Sequence, residues 1–153
     1  MLIGILSDTH GLLRREVLDA LSGAELIIHA GDIGAPHVLE SIRAIAPVFA
    51  VRGNVDTQAW ARRLPAMLTV PVGKHKFYVL HNVLDLSTDP VAAGIAAVIF
   101  GHSHRPSIET RGGVLYLNPG SAGPRRFKLP VCIARVEIAG SRIEPTLVEL
   151  DVR

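Results

Sequence analysis

The sequence predicts an α/β fold: strands and helices alternate in its first half, and strands dominate its second. Three observations predict this. Short continuous apolar runs at 2–6, 26–28 and 48–51 read as strands covered on both faces. Between them lie two stretches with apolar residues at helical spacing. From Met67 onward the apolar runs come in pairs around glycine-containing turns, as hairpins do.

The elements follow in order. Leu2 to Leu6 is the first strand, and Leu13, Val17, Leu18 and Leu21 mark one face of a helix over Leu12 to Leu21. Leu26 to Ile28 is the second strand, and Pro36 to Ile45 is the second helix, with Pro36 suited to its first turn. Val48 to Val51 completes a βαβαβ unit and therefore a parallel sheet. Met67 to Val72 and Lys76 to Leu80 then flank Gly73-Lys74-His75. Ala92 to Ala97 predicts a short helix running into a strand over Val98 to Phe100. Ser107 to Thr110 and Val114 to Leu117 flank Arg111-Gly112-Gly113, and Val131 to Ile138 pairs with Ile143 to Leu150 across Ala139-Gly140-Ser141. The second half is thus expected to be antiparallel. No linker, repeat or low-complexity tract interrupts the chain, so residues 1–153 read as a single domain.

Composition narrows the function classes. A chain of 153 residues, 48% hydrophobic and 20% charged, buries a core without staples and does not suit disorder. No apolar run reaches the length of a membrane span. The start Met-Leu-Ile-Gly-Ile-Leu-Ser-Asp has no basic n-region or cleavage site, which predicts a cytoplasmic protein. The single Cys132 excludes an internal disulfide and a thiolate-rich zinc site, and its apolar neighbours predict a buried structural role. A net charge of +2 lacks the clustered excess of a nucleic-acid binder. Arg105, Arg111, Arg125, Arg126 and Lys128 do share one stretch, which taken alone reads as a solvated face.

The residues that end the strands carry the chemistry. In this class of fold, polar side chains converge beyond the carboxyl ends of the strands. The first strand runs into Ser7-Asp8-Thr9-His10, the second into His29-Ala30-Gly31-Asp32, and the third into Arg52-Gly53-Asn54. Later runs end in His81 and in Gly101-His102-Ser103-His104. Singly, Asp8 or Asp32 is as well read as a helix N-cap, and Asn54 as a turn residue. Five strands all ending in nitrogen and oxygen donors point instead to a metal site. Asp, His and Asn donors suit manganese, iron, nickel or zinc, and the histidines argue against magnesium alone. There are too many donors for one tetrahedral ion, so two ions with a bridging carboxylate are expected, clamping a phosphoryl group around a shared hydroxide.

In this order, Asp8-x-His10, Gly31-Asp32, Gly53-Asn54, His81 and Gly101-His102-x-His104 resemble the calcineurin-like metallophosphoesterase superfamily. The small size and Asn118-Pro119-Gly120-Ser121 resemble its short bacterial phosphodiesterase branch. The resemblance implies a two-sheet sandwich flanked by helices, the metallo-dependent phosphatase-like fold. It implies that Asp8, His10 and His104 hold one divalent ion and Asn54, His81 and His102 the other. Asp32 would bridge them and hold the attacking hydroxide. It also implies a loop at Asn118 to Ser121 near the site, with Asn54, Arg125 and Arg126 toward the substrate phosphate. One departure bears on mechanism. Many members follow the Gly-Asn pair with His-Glu, whereas this chain has Val55-Asp56, so the leaving-group proton would come from elsewhere, Asp56 and His29 being the nearest candidates.

The expected activity is hydrolysis of a small phosphoester or nucleotide, most simply a phosphodiester, with manganese as the first choice of metal. The rivals are a protein-binding scaffold resembling a retromer subunit and a nuclease. A scaffold has no reason to keep a complete ligand set, and a nuclease needs a basic groove with more stacking aromatics. The expected partner is that small substrate rather than a membrane or a nucleic acid, and the chain is compatible with a homo-oligomer.

Overall fold

The computed structural model describes residues 1–152. Two five-stranded sheets stack face to face, with strand orders β10-β9-β1-β2-β3 and β4-β5-β6-β8-β7. The first sheet contains β1 (Leu2–Leu6), β2 (Leu26–His29), β3 (Val48–Ala50), β9 (Cys132–Ala139) and β10 (Arg142–Glu149). The second contains β4 (Met67–Val72), β5 (His75–Leu80), β6 (Ala97–Ile99), β7 (Ser107–Arg111) and β8 (Val114–Asn118).

Alternation along the strands builds the layers. Ile3 and Ile5 of β1 and Ile28 of β2 face the second sheet and meet Phe77, Val79, Ile99 and Leu117 in the central core. Leu6 and Ile27 point the other way, under α1 (Arg15–Ala20) and α2 (Pro36–Arg43), where they meet Val17, Val38, Leu39 and Ile42. Both helices therefore cover the outer face of the first sheet. The outer face of the second carries a smaller cluster around Leu80, Ile95, Val98 and Val114.

Three expectations change. The first helix begins at Arg15, because the chain from Asp8 to Arg14 is drawn into the loop that builds the site. The helix expected at Ala92 to Ala97 is absent: Pro90 and Gly94 close a turn, with Ile95 N–H on the Pro90 carbonyl and Gly94 at φ 72°. So few residues between a proline and a left-handed glycine cannot repay the cost of a helical nucleus, and Ala97 starts a strand instead. The second half is also not simply antiparallel. β5 pairs parallel with β6, and β6 parallel with β8. Ala97 and Ile99 lie in the central core and Val98 in the outer cluster, so β6 is covered on both faces, as an inner parallel strand is.

Candidate metal centre

The parallel pairings set the site. β1, β2 and β3 end at one edge of their sheet, and β5, β6 and β8 end together at one edge of theirs. The loops that leave these ends carry the predicted donors. Asp8 N–H donates to the Gly31 carbonyl at 3.0 Å and His10 N–H to the Asp32 carbonyl at 2.9 Å, so the first two loops continue the pairing of their strands. Gly101 N–H on the His81 carbonyl at 2.9 Å does the same in the second sheet. Two glycines permit the approach: a methyl group on Gly53 would stand 2.1 Å from Asp32 Oδ1, and one on Gly101 2.1 Å from Ser7 Oγ.

The donors meet. Asp8 Oδ1 lies 3.4 Å from His104 Nε2 and 3.8 Å from both His10 Nε2 and His81 Nε2. Asp32 Oδ2 lies 3.1 Å from His81 Nε2 and 3.6 Å from His10 Nε2. Two groups have the spacing of metal ligands, Asp8 with His10 and His104, and Asp8 with Asp32 and His81. Both carboxylates thus reach between the histidines, Asp8 as well as Asp32. The Asn54 carboxamide adjoins Asp32 Oδ1, Asp32 Oδ2 and His81 Nε2 at 3.1–3.3 Å, where either its NH₂ donates or its oxygen shares a cation with them. His102 is exposed; its ring meets the His81 ring edge-on at 5.3 Å, and its N–H donates to Asp8 Oδ2 at 3.2 Å. Neither aspartate caps a helix, since Arg14 and Ala35 hold those positions.

These atoms fit cations. Asp8 Oδ1 and His10 Nε2 are buried without a hydrogen-bond partner among the described residues, and both face the gap between the donors. Buried acceptors left unpaired are costly, and a cation between them removes the cost. His81 Nδ1 meets the Ala30 carbonyl at 2.8 Å, which turns Nε2 to the centre as a ligand requires. Burial alone would lower the His81 pKa; the hydrogen bond and charge of Asp32, with Asp8 behind, raise it. Burial alone would raise Asp32; its bonds from His81 and Val55 N–H, with the charges of His81 and His10, hold it below the usual carboxylate value. Both shifts record a site that draws in positive charge.

Strain follows the same residues. Six residues other than glycine have positive φ among the described residues, and Asp8, His10, Asp32, His102 and His104 are five of them. Left-handed backbone costs an L-residue roughly 1–2 kcal/mol, and such strain collects where a fixed geometry has a use.

A second layer, not foreseen as such from the sequence, holds the donors. Ser121 Oγ donates to the Asp8 carbonyl at 3.1 Å, and Asn118 Nδ2 to the Gly101 carbonyl and Ser103 Oγ at 3.1 Å, so the Asn118–Ser121 loop lies beneath the centre as expected. Asp56 accepts from the N–H groups of Ile33, Gly34 and Gly53 at 2.9–3.0 Å; buried and so engaged, it is a clamp and no proton donor. His29 is also buried. Its Nδ1 accepts from Gly31 N–H, and because Thr9 Oγ1 gives its proton to the Ile33 carbonyl, His29 Nε2 donates to Thr9. Burial, against the weaker opposing pull of Asp8 and Asp56, lowers the His29 pKa to about 4, so it is neutral and faces no substrate. Cys132 is buried, and burial pushes its thiol up to about 11, as a structural role requires.

A cavity of ≈240 Å³ opens beside the centre, lined by Arg52, Asn54, Met67, His81, Asn82 and His102 among others. Arg52 is the cation there, a position the surplus of arginines further along the chain had hidden. Arg125 and Arg126 lie exposed on the loop after Gly123 and do not line it. Arg111 is on β7, paired with Glu109 and stacked over Tyr116.

The family model for the calcineurin-like phosphoesterase superfamily domain matches residues 1–141. A probable metallophosphoesterase of Methanocaldococcus jannaschii is 35% identical over 134 residues, 79% of this chain and 68% of its own. Phosphodiesterase YfcE of Escherichia coli is 29% identical over 139 residues, 75% of this chain and 76% of its own. Among solved structures, a predicted phosphoesterase of Streptococcus pneumoniae is 29% identical and superimposes with a TM-score of 0.75 over 97% of this chain and 88% of its own. Vps29 of Chaetomium thermophilum shares the fold at a TM-score of 0.79 and 16% identity, over 99% and 98% of the two chains. Nearly the whole chain matches the family model, and the strand-end donors meet as metal ligands do. The chain therefore belongs to the calcineurin-like phosphoesterase superfamily and is a metal-dependent phosphoesterase.

Proposed function

We propose that this protein is a cytoplasmic phosphodiesterase that cleaves small phosphodiesters at a pair of divalent ions, with manganese as the ion in use. The observation that carries the reading is the convergence of two carboxylates and three imidazoles on one gap that leaves Asp8 Oδ1 and His10 Nε2 without a partner among the described residues. Asp8, His10 and His104 would hold one ion, and Asn54, His81 and His102 the other, with Asp32 between. When bound, such a pair supplies an activated water and neutralises charge on the phosphoryl oxygens.

The chain's own residues do the rest. Val55 N–H anchors Asp32 Oδ1 at 3.0 Å, so Oδ2 stays turned to the two histidines it bridges. Asn54 and Arg52 line the adjoining cavity, where they can orient a phosphate, Arg52 by its charge. A protein-binding scaffold would not need strained backbone at five donor positions.

The test is reconstitution of the metal-free protein with manganese, iron, nickel or zinc. Elemental analysis should approach two ions per chain, and bis(p-nitrophenyl) phosphate should be cleaved faster than p-nitrophenyl phosphate. Full activity at one ion per chain would overturn the dinuclear reading. Asp32→Ala should lose more metal and activity than Asn54→Ala, because a bridge serves both ions. If Asp8→Ala is the more damaging aspartate variant, Asp8 is the bridge.

A further inference from the structure

Five of the six left-handed residues other than glycine belong to the metal centre, and the sixth is Phe127, at φ 55°. It is 88% exposed, a large apolar residue with no place in the core. The turn Arg126–Leu129, closed by Leu129 N–H on the Arg126 carbonyl at 3.1 Å, sets that backbone and holds the ring out into solvent.

Its surroundings indicate a use for it. Arg105, Phe127, Lys128 and Leu129 line a cavity of ≈490 Å³, and Arg125 and Arg126 stand exposed on the same loop. Among the described residues, the arginine side chains in ion pairs are Arg111 and Arg142, so the cations around Phe127 are free. The loop is fastened to the centre. Ser121 Oγ donates to the Asp8 carbonyl at 3.1 Å and accepts from Gly123 N–H at 3.3 Å, and Arg14 Nε donates to the Gly123 carbonyl. Arg105 directly follows His104, so the lining of this cavity includes the residue next to a metal-ligand position.

We propose that Phe127, Arg105 and Lys128 form a nucleotide-binding lip, making the substrate a phosphodiester that carries a nucleoside. The base stacks on the Phe127 ring, and the neighbouring phosphate oxygens meet the cations while the scissile bond lies over the centre. This substrate assignment rests on the phosphodiesterase reading above. An anionic membrane would also attract the cations, but a surface that enters lipid presents several apolar side chains, and Phe127 is the one large exposed apolar residue of this loop.

The experiment compares kcat/KM for the p-nitrophenyl ester of thymidine 5′-monophosphate with that for methyl p-nitrophenyl phosphate, using manganese-loaded protein. The parent should prefer the nucleotide ester. Phe127→Ala should lower that preference about 5- to 150-fold, the value of one base–aromatic stack, and Phe127→Trp should restore it. In parallel, the fluorescence of 1,N6-ethenoadenosine monophosphate should be quenched by the parent and not by Phe127→Ala. A preference and quenching equal to the parent's in Phe127→Ala overturn the proposal. So does Phe127-dependent sedimentation with phosphatidylcholine–phosphatidylserine vesicles in the absence of any nucleotide effect. If the parent cleaves neither ester, the phosphodiesterase reading fails, while Phe127-dependent quenching still supports the lip.

Discussion

Val55 lies one residue beyond Asn54, 43% exposed and with its N–H spent on Asp32. Valine offers no proton to a departing oxygen, and the two nearest substitutes are both engaged elsewhere, Asp56 as a clamp and His29 as a buried neutral ring. General-acid help is typically worth 10²–10⁴-fold, most of it on basic leaving groups. The rate should therefore fall steeply as leaving-group pKa rises across a series of aryl and alkyl phosphodiesters. Val55→His should flatten that slope, with its largest gain on the alkyl esters; a parent slope that is already shallow would mean another residue gives the proton. His29 makes a separate prediction for stability. Unfolded, it binds a proton below its ordinary value of 6.5; folded, it does so only near 4. Between those values the unfolded chain carries more protons, so stability falls as pH falls through the window, by roughly 3 kcal/mol from this group. Urea midpoints in the presence of chelator should drop accordingly, and His29→Gln should remove that part of the slope. Parallel curves for the two proteins would assign the slope to other groups.

At the scale of elements, the donors depend on loops that hold one another. Asp56, in the loop after β3, takes three N–H groups, two of them from the loop after β2. Asp32 and Asn54 ride on those loops. Asp56→Ala leaves three inward-facing donors without their acceptor, which should cost roughly 2–5 kcal/mol and weaken metal binding together with stability. Asp56→Asn keeps an acceptor and should lose less of both. Urea denaturation and a manganese titration on the two variants check this; a stable Asp56→Ala with normal metal affinity would dismiss the clamp. The elements themselves were largely legible, because continuous apolar runs such as Leu2–Leu6 and the glycine-turn pairs survive into the structure with bounds shifted by a residue or two. Ala92–Ala97 was not legible as a turn. Alanine favours a helix locally, and only the slot between β5 and β8 makes Ala97 a strand residue.

At the scale of the whole molecule, function depends on which way the strands run. Had β5 and β6 been antiparallel, as the second half of the sequence suggested, His81 and His104 would leave opposite edges and could not share Asp8. Parallel pairing puts both loops at one edge, opposite the loops of β1, β2 and β3. The sequence by itself determined the donor types, their order, and their place just after apolar runs, because these are local: a strand ends where its apolar run ends. It also determined the absence of any internal disulfide and the vacancy for a proton donor at Val55. The tertiary structure decided what depends on residues distant in the chain. It made Asp56 a clamp, buried His29 behind the site, brought Arg52 rather than Arg125 or Arg126 to the cavity, and set Phe127 out in solvent on a turn. Burial, strand direction and backbone handedness arise from packing between segments far apart in sequence, and no local run of residues carries that information.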